Sequence, residues 1–242
     1  MNYFHDVLFD KSEKVIAFAG GGGKSVLINK ICQEFKKTGK SALVLSNHPL
    51  YVPPDTSIFI SHDTNIIKSQ INREIGKQQI LYLGKSYDEK KISGFKDKDI
   101  QEVISSAKCD HILLEIDQTQ SRSFSGFDNL NLKTTSLANR CIMIIGADAL
   151  NQPNNDTYLK TNDVFWQNQT ILEPVKIVEW LTRHKIIKHL AAHHIPLTIF
   201  INKVENIFYK NLTINFARQL KQNEIENVLF GSIYNSEFQS IK

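Results

Sequence analysis

Four consecutive glycines followed by a lysine and a serine are the residues with the clearest chemistry in this chain. An apolar run at 15–19 leads into the glycines, and an apolar, helix-like segment follows Ser25. This order of strand, loop and helix start turns backbone N–H groups around a phosphate, and the helix dipole adds positive charge. The residues predicted to contact a nucleotide are Gly20, Gly21, Gly22, Gly23, Lys24, Ser25 and Val26.

The loop is shorter than the usual phosphate-loop pattern, which has four residues between its first glycine and the Gly-Lys pair. Counting back from Gly23 puts Phe18 where that first glycine is expected. Short loops of the form Gly-x-x-Gly-Lys-Ser occur in Mur ligase-like enzymes. Phosphate binding is therefore still predicted and the subclass stays open, with a flexible glycine linker as the alternative.

Two carboxylates, Glu115 and Asp117, follow an apolar run at 112–114. Side chains alternate along a strand, so both carboxylates are expected on one face. Beside a phosphate loop, one such carboxylate holds Mg²⁺ and the other orients or deprotonates an attacking water. We predict Ser25, Glu115 and Asp117 as metal ligands, and Lys24, Glu115 and Asp117 as catalytic residues.

Asn202, Lys203 and Glu205 follow a late apolar strand. They resemble the Asn-Lys-x-Asp motif that recognises guanine in GTP-binding proteins, with Glu205 one methylene longer than the usual Asp. We predict that these three residues contact the base and leave ATP and GTP open. The alternative is an ordinary strand-to-helix turn.

Histidines provide further candidates. His48 follows the second predicted strand, so we expect it at the carboxyl end of the sheet, near the phosphate loop. His189 and His193 are one helical turn apart, which is compatible with a shared metal. No acidic or cysteine partner has matching spacing, so a solvated helix face is expected there.

The alternation of apolar runs and amphipathic segments predicts an α/β protein. Continuous apolar runs are typical of parallel strands covered on both faces. The chain is expected to form one domain over residues 1–242, with a doubly wound, mostly parallel sheet of the P-loop NTPase type. Polar stretches at 117–140 and 151–170 are expected to be long loops, which are often functional.

Strands are predicted at 14–19, 41–46, 79–83, 111–116, 141–146, 197–201 and 227–230, and helices at 25–38, 63–75, 97–107, 174–193 and 206–222.

The composition argues against several classes of protein. With 41% hydrophobic and 22% charged residues and a net charge of +4, the chain resembles ordinary soluble proteins. Basic residues form no stripe interleaved with aromatics, so nucleic acid is not expected. The three cysteines form no CxxC pair, which favours a reducing compartment. With neither a signal peptide nor a membrane span predicted, we expect a cytoplasmic protein.

Taken in order, the motifs resemble those of the YqeC family of selenium-dependent hydroxylase accessory proteins. The matching motifs lie between about residues 10 and 231 and comprise 20–25, His48, Glu115 with Asp117, 146–151 and 202–205. In the family, a Gly and a Pro-Leu-Lys sequence follow the acidic pair, and both are absent here. Arg122 takes the place of one basic residue of the family motif. The resemblance implies a P-loop protein that binds ATP or GTP with Mg²⁺ and serves the maturation of a molybdenum-containing hydroxylase, its client.

The resulting hypothesis is a slow nucleoside triphosphatase. The loop amides and Lys24 would spread the charge of the transferred phosphoryl group, and Arg122 and Arg140 are the candidates for an arginine finger. One alternative is an ATP-dependent kinase or ligase whose small-molecule acceptor binds in the loops 117–140 or 151–170. Another is a non-enzymatic assembly factor with a degenerate nucleotide site.

Overall fold

In the computed structural model, which describes residues 3–119 and 121–241, the chain divides into two units. The first consists of Met1–Phe18, Ser25–Asp117 and Lys133–Arg140, and the second of Ala19–Lys24, Gln118–Leu132 and Cys141–Lys242. The single domain expected from the sequence stays a prediction.

The first unit is built on a parallel sheet of buried, apolar strands. Its strands in chain order are β1 (Val15–Gly20), β2 (Ala42–Ser46), β3 (Leu50–Tyr51), β4 (Ile58–Ile60), β5 (Ile80–Gly84), β6 (Tyr87–Asp88), β7 (Lys91–Ile92) and β8 (His111–Glu115). The parallel strands run in the order β1-β8-β2-β5-β4, and β3, β7 and β6 form a small antiparallel sheet. Every residue of β1, β2, β5 and β8 is buried, as their continuous apolar runs predict.

The first unit also contains helices, and the longer ones bury apolar residues at helical spacing. They are α1 (Phe4–Leu8), α2 (Lys24–Thr38), α3 (Thr64–Lys77), α4 (Asp97–Ser106) and α5 (Leu132–Thr135). In α3, Ile67, Ile71 and Ile75 are buried one turn apart, and the Asp63 carboxylate caps the helix by accepting from the Asn65 N–H at 2.8 Å.

The strands of the second unit are also mostly parallel to one another. Its strands are β9 (Arg140–Gly146), β10 (Leu197–Asn202), β11 (Asn227–Ser232) and β12 (Glu237–Ser240). β10 is parallel to both β9 and β11, whereas β12 is antiparallel to β11. The helices are α6 (Val164–Gln167), α7 (Pro174–Arg183), α8 (Lys185–Ala192) and α9 (Ile207–Gln222), and a 3₁₀ turn spans Ala147–Ala149.

The predicted helix at 174–193 is two helices, which corrects the sequence-based boundary. His184 separates α7 from α8 with an extended backbone (φ −67°, ψ 142°). Its ring Nδ1 accepts from the Ile186 N–H at 3.2 Å and so caps the second helix. The apolar period continues on both sides of this break, which is why the sequence pattern did not reveal it.

The α/β class and the mostly parallel sheet are confirmed, and each predicted strand is present within two residues of its expected ends. The strands that were missed, β3, β4, β6, β7 and β12, are short and mostly exposed, so they carry no continuous apolar run. Within 3–119 and 121–241, no helix has the length and apolarity to cross a membrane.

Candidate functional site

The glycine loop lies against the backbone of β9 in the second unit. Gly20 has a φ of +96° and Gly22 a φ of +77°, a region that side chains rarely adopt. A Cβ atom on Gly20 would lie 2.1 Å from the Ile144 carbonyl oxygen, and one on Gly22 would lie 2.4 Å from the Gly146 nitrogen. Backbone conformation and close approach both require glycine here.

We expect Gly22→Ala to lower the free energy of unfolding by more than about 1–2 kcal/mol, because it adds a clash to the cost of a positive φ. Gly39→Ala is the matched control, since Gly39 has a similar φ of +74° with nothing within 4 Å of its Cβ position. Gly76→Ala, in the exposed last turn of α3, should instead stabilise by about 0.5–1 kcal/mol. Urea unfolding measures all three, and equal losses for the first two variants would contradict the clash.

Lys24 folds its ammonium back onto this loop. Its side-chain nitrogen donates to the Gly20 carbonyl at 2.5 Å and to the Thr119 hydroxyl at 3.2 Å, and the residue is only 5% exposed. The loop therefore carries a fixed positive charge, which favours an anionic ligand. Thr119 was missed by sequence reasoning because nothing distinguishes it within the polar stretch 117–140. Val26, the last predicted contact, is exposed on α2.

The segment after Asp117 packs against the glycines. The Gly22 N–H donates to the Arg122 carbonyl at 2.8 Å, and a Cβ atom on Gly21 would lie 2.6 Å from the same oxygen. The Arg122 guanidinium donates to the carbonyls of Asp156 at 2.8 Å and Thr119 at 3.2 Å. Arg122 therefore stabilises the wall of the loop.

In the first unit, Ser25 and Glu115 form a hydroxyl–carboxylate pair. The Ser25 hydroxyl donates to Glu115 Oε2 at 3.0 Å, and His48 Nε2 lies 3.9 Å from Glu115 Oε1. Glu115 is in register with Phe18 of β1 and Ser46 of β2, so β8 and β2 end at the same level, and β1 continues for two more residues to Gly20. Hydroxyl and carboxylate oxygens are the ligands that Mg²⁺ prefers.

Asp117 lies two residues beyond Glu115 and is 2% exposed. β8 ends at Glu115, although the Ile116 N–H still donates to the Phe18 carbonyl at 3.0 Å and extends the pairing by one residue. Among the residues that the structure describes, no three His, Cys, Asp or Glu side chains form a metal cluster. Mg²⁺ commonly binds through one or two carboxylates with waters and substrate phosphates.

The cysteines offer no nucleophile in the described chain. Burial raises the pKa of the Cys32 thiol to about 12 and that of Cys109 to about 11, and Cys141 is fully buried. The Cys32 and Cys109 thiols therefore stay protonated at neutral pH, which makes them poor nucleophiles.

The three residues predicted to contact the base all have protein partners. Asn202 donates from Nδ2 to the Gly22 carbonyl at 2.7 Å and accepts at Oδ1 from the Ile233 N–H at 3.0 Å. The Lys203 ammonium donates to the Ser123 hydroxyl at 2.7 Å and to Asp148 at 2.8 Å. Glu205 accepts from the Ser232 hydroxyl at 2.7 Å. Asn202 thus braces the glycine loop, whereas base contact by all three residues stays a prediction.

A comparison with protein-family models decides the family. The model described as YqeC protein matches residues 16–162, more than half of the 242 residues. The chain belongs to the YqeC family. No curated protein matches it significantly. Among solved structures, the chain is similar to the MinD cell division protein of Aquifex aeolicus at 15% identity and a TM-score of 0.43, over 86% of this chain and 78% of that one.

The resemblance inferred from the sequence is thus confirmed at the level of the family. The YqeC match contains the glycine loop, His48, Glu115 and Asp117, and it ends before Asn202. The part of the chain most closely tied to the family is therefore the part that carries the phosphate and metal candidates.

Arg140 does not lie where an arginine finger is needed, which corrects that hypothesis for this YqeC chain. Its guanidinium donates to Glu13 at 2.7 Å, and the preceding Asn139 N–H donates to the Val15 carbonyl at 2.8 Å. Arg140 is thus at the amino end of β1, and the glycine loop follows the carboxyl end of that strand.

The rings of His189 and His193 lie 4.1 Å apart on α8 and its C-cap. His193 Nδ1 bonds the His189 carbonyl at 2.9 Å. Burial and the neighbouring His193 lower the pKa of His189. Nδ1 of His193 is thus bonded to the helix backbone, and His193 caps the C-terminal end of α8.

Removing Asn202 should weaken ATP and GTP binding equally, because its amide holds the loop. Asn202→Ala leaves the Gly22 carbonyl and the Ile233 N–H without their bonds, and each unpaired buried group costs about 1–3 kcal/mol. Competition titrations with both nucleotides measure the effect, and Glu205→Ala is the matched variant for base recognition. A loss confined to GTP in Asn202→Ala would show that Asn202 contacts guanine.

Proposed function

We propose that this YqeC protein binds a nucleoside triphosphate with Mg²⁺ and hydrolyses it slowly, in the maturation of a molybdenum-containing hydroxylase in the cytoplasm. The observation that carries the proposal is the glycine loop, in which Gly20 and Gly22 have positive φ and Lys24 holds its ammonium against the loop. A fixed cation and a backbone that only glycine fits are the features of a phosphate cradle.

The donor set at Ser25 and Glu115 fits Mg²⁺. A hydroxyl and a carboxylate lie within 3.0 Å of each other, and Ser25 follows Lys24 directly in the chain. When bound, the ion would neutralise charge on the outer phosphates. Lys24 would bind the same phosphates from the loop, and Asp117 is the carboxylate proposed to orient the attacking water.

A slow intrinsic rate is expected. Arg140 lies at the other end of β1, and the Arg122 guanidinium is already bonded to two carbonyls. In enzymes that have one, an arginine finger raises the rate of phosphoryl transfer by a factor of about 10³–10⁵. A partner protein that supplied such a residue would raise the rate.

The test combines binding and turnover. Calorimetric titration with ATP and with GTP, each with and without Mg²⁺, should show saturable, Mg²⁺-dependent binding, and a phosphate-release assay should show slow hydrolysis. A phosphorylated small molecule in place of free phosphate would identify a kinase or ligase. Tight binding without turnover would identify an assembly factor. Absence of binding to either nucleotide would overturn the proposal.

The place in hydroxylase maturation is supported by the resemblance to the YqeC family. It is tested by the molybdenum content and activity of a molybdenum hydroxylase produced with and without this protein. We expect the wild-type chain to restore the molybdenum content and activity of the hydroxylase, and the Lys24→Ala variant to fail to restore them.

A further inference from the structure

A pocket of about 480 Å³ lies within the second unit, between residues 126–128, residues 162–165 and the junction of α7 and α8. Its volume is in the range of about 300–1,000 Å³ that is typical of small-molecule sites. It joins the two polar loops that the sequence marked as functional. Four of its lining side chains are rings, those of Phe127, Phe165, Trp180 and His184.

The ring wall is held in place before any ligand binds. Phe127 stacks on Trp180 with an interplanar angle of 3° and ring centroids 5.6 Å apart, and the Trp180 and His184 rings are 4.6 Å apart. The Trp180 indole N–H donates to Asp163 at 2.9 Å. Phe127 has a φ of +55°. Such strain in a bulky residue tends to occur at ligand sites.

The polar groups of the pocket are also fixed. The Asp128 carboxylate accepts from the Thr161 hydroxyl at 2.9 Å and from the Asn162 N–H at 3.2 Å, which leaves further lone pairs available. Since His184 Nδ1 accepts from the Ile186 N–H, its ring proton is on Nε2. Burial lowers the pKa of His184 to about 4, so the ring is neutral at pH 7. The pocket thus combines a carboxylate acceptor with an imidazole donor.

The charges around the pocket favour a neutral ligand. Asp128 and Asp163 are balanced by Arg183 and Lys185, which also line it. We propose that the pocket binds a neutral, planar, amino-substituted heteroaromatic molecule. The ligand ring would stack on Phe165 and His184, the two lining rings that are partly exposed, while the buried pair Phe127 and Trp180 supports them from behind. Its amino N–H would donate to Asp128, and a ring heteroatom would accept from His184 Nε2.

Phe124 connects this pocket with the glycine loop. Its backbone nitrogen is 2.7 Å from the position of a Cβ atom on Gly21. Its ring lies 5.5 Å from that of Trp180, which lines the pocket. The buried Phe124 thus lies between Trp180 and Gly21 and links the pocket wall to the glycine loop. This inference goes beyond the proposed function, because binding in the pocket needs no phosphate.

Titration of the whole protein with 2-aminopurine riboside tests the proposal. This fluorescent probe is planar and amino-substituted, lacks phosphate, and loses emission when it stacks on aromatic rings. We expect saturable quenching. Asp128→Asn should weaken binding at least about fivefold, because it removes a charged acceptor. Phe165→Leu should weaken it about threefold to tenfold, because it removes one of the two partly exposed rings on which the ligand stacks.

Two control variants separate this site from others. Glu226→Gln removes one carboxylate elsewhere in the same unit and should leave probe affinity unchanged, as should Lys24→Ala in the glycine loop. Absence of saturable quenching at about millimolar probe, or wild-type affinity in both pocket variants, would overturn the proposal. Displacement of the probe by ATP or GTP with Mg²⁺ would also overturn it, because the probe would then occupy the nucleotide site. Near-UV circular dichroism of each variant verifies the fold.

Discussion

Lys24→Ala should weaken nucleotide binding by at least about tenfold, because it removes a charge-assisted contact worth about 1.5–3 kcal/mol. Lys24 is 5% exposed, and its ammonium is already held by the Gly20 carbonyl and the Thr119 hydroxyl. Little side-chain entropy is then lost when it contacts a phosphate, so the full strength of the contact contributes to binding. Calorimetric titration with ATP and GTP in the presence of Mg²⁺ measures the loss.

The control for this variant is Lys188→Ala, which removes the same charge from an exposed position on α8 in the same unit. It should leave the affinity unchanged. Because Lys24 also bonds the loop, the free energy of unfolding of each variant is measured alongside. An unchanged nucleotide affinity in a folded Lys24→Ala protein would show that the glycine loop does not bind phosphate.

Local patterns in the sequence predicted those parts of the site whose residues are adjacent in the chain. Gly20–Gly23, Lys24 and Ser25 are consecutive, so the strand–loop–helix order was visible without the fold. The alignment of Glu115 with Ser46 at the ends of β8 and β2 also follows from a parallel sheet.

Contacts between distant parts of the chain were not predictable in this way. Asn202 bonds the carbonyl of Gly22, which is 180 residues away, and its position after a strand suggested a role in base recognition instead. Thr119 reaches Lys24 from a stretch with no periodicity. The aromatic pocket combines residues from both long loops and α7, and a loop sequence contains no signal for which rings will meet.

The two arginine candidates differ in how far the sequence places them. Arg140 immediately precedes the strand predicted at 141–146, so a parallel sheet puts it at the amino end of a strand, and the bond from the Asn139 N–H to the Val15 carbonyl agrees with this. Arg122 lies in the polar stretch 117–140, and its bond to the Asp156 carbonyl was not predictable, because Asp156 is 34 residues away in the other long loop.

Glu115→Gln should remove most of the Mg²⁺ dependence of nucleotide binding and turnover. The amide keeps an oxygen that can accept from the Ser25 hydroxyl, so the hydrogen bond of 3.0 Å and the fold should survive while the charge is lost. Loss of an outer partner alone typically costs 10–100-fold in metal affinity, so at least about tenfold is expected for a direct ligand. A Mg²⁺ titration at fixed nucleotide measures it.

The Asp117→Asn variant distinguishes the role of Asp117 from that of Glu115. If Glu115 holds the ion and Asp117 orients the water, Asp117→Asn should keep the Mg²⁺ affinity and lose turnover, whereas Glu115→Gln should lose both. Glu102→Gln, at a partly exposed position on α4 where Glu102 pairs with Lys68 at 3.2 Å, is the control and should behave as wild type. Wild-type Mg²⁺ dependence in both strand-end variants would place the metal elsewhere. The Ser25–Glu115 bond would then serve to fix the start of α2 against β8.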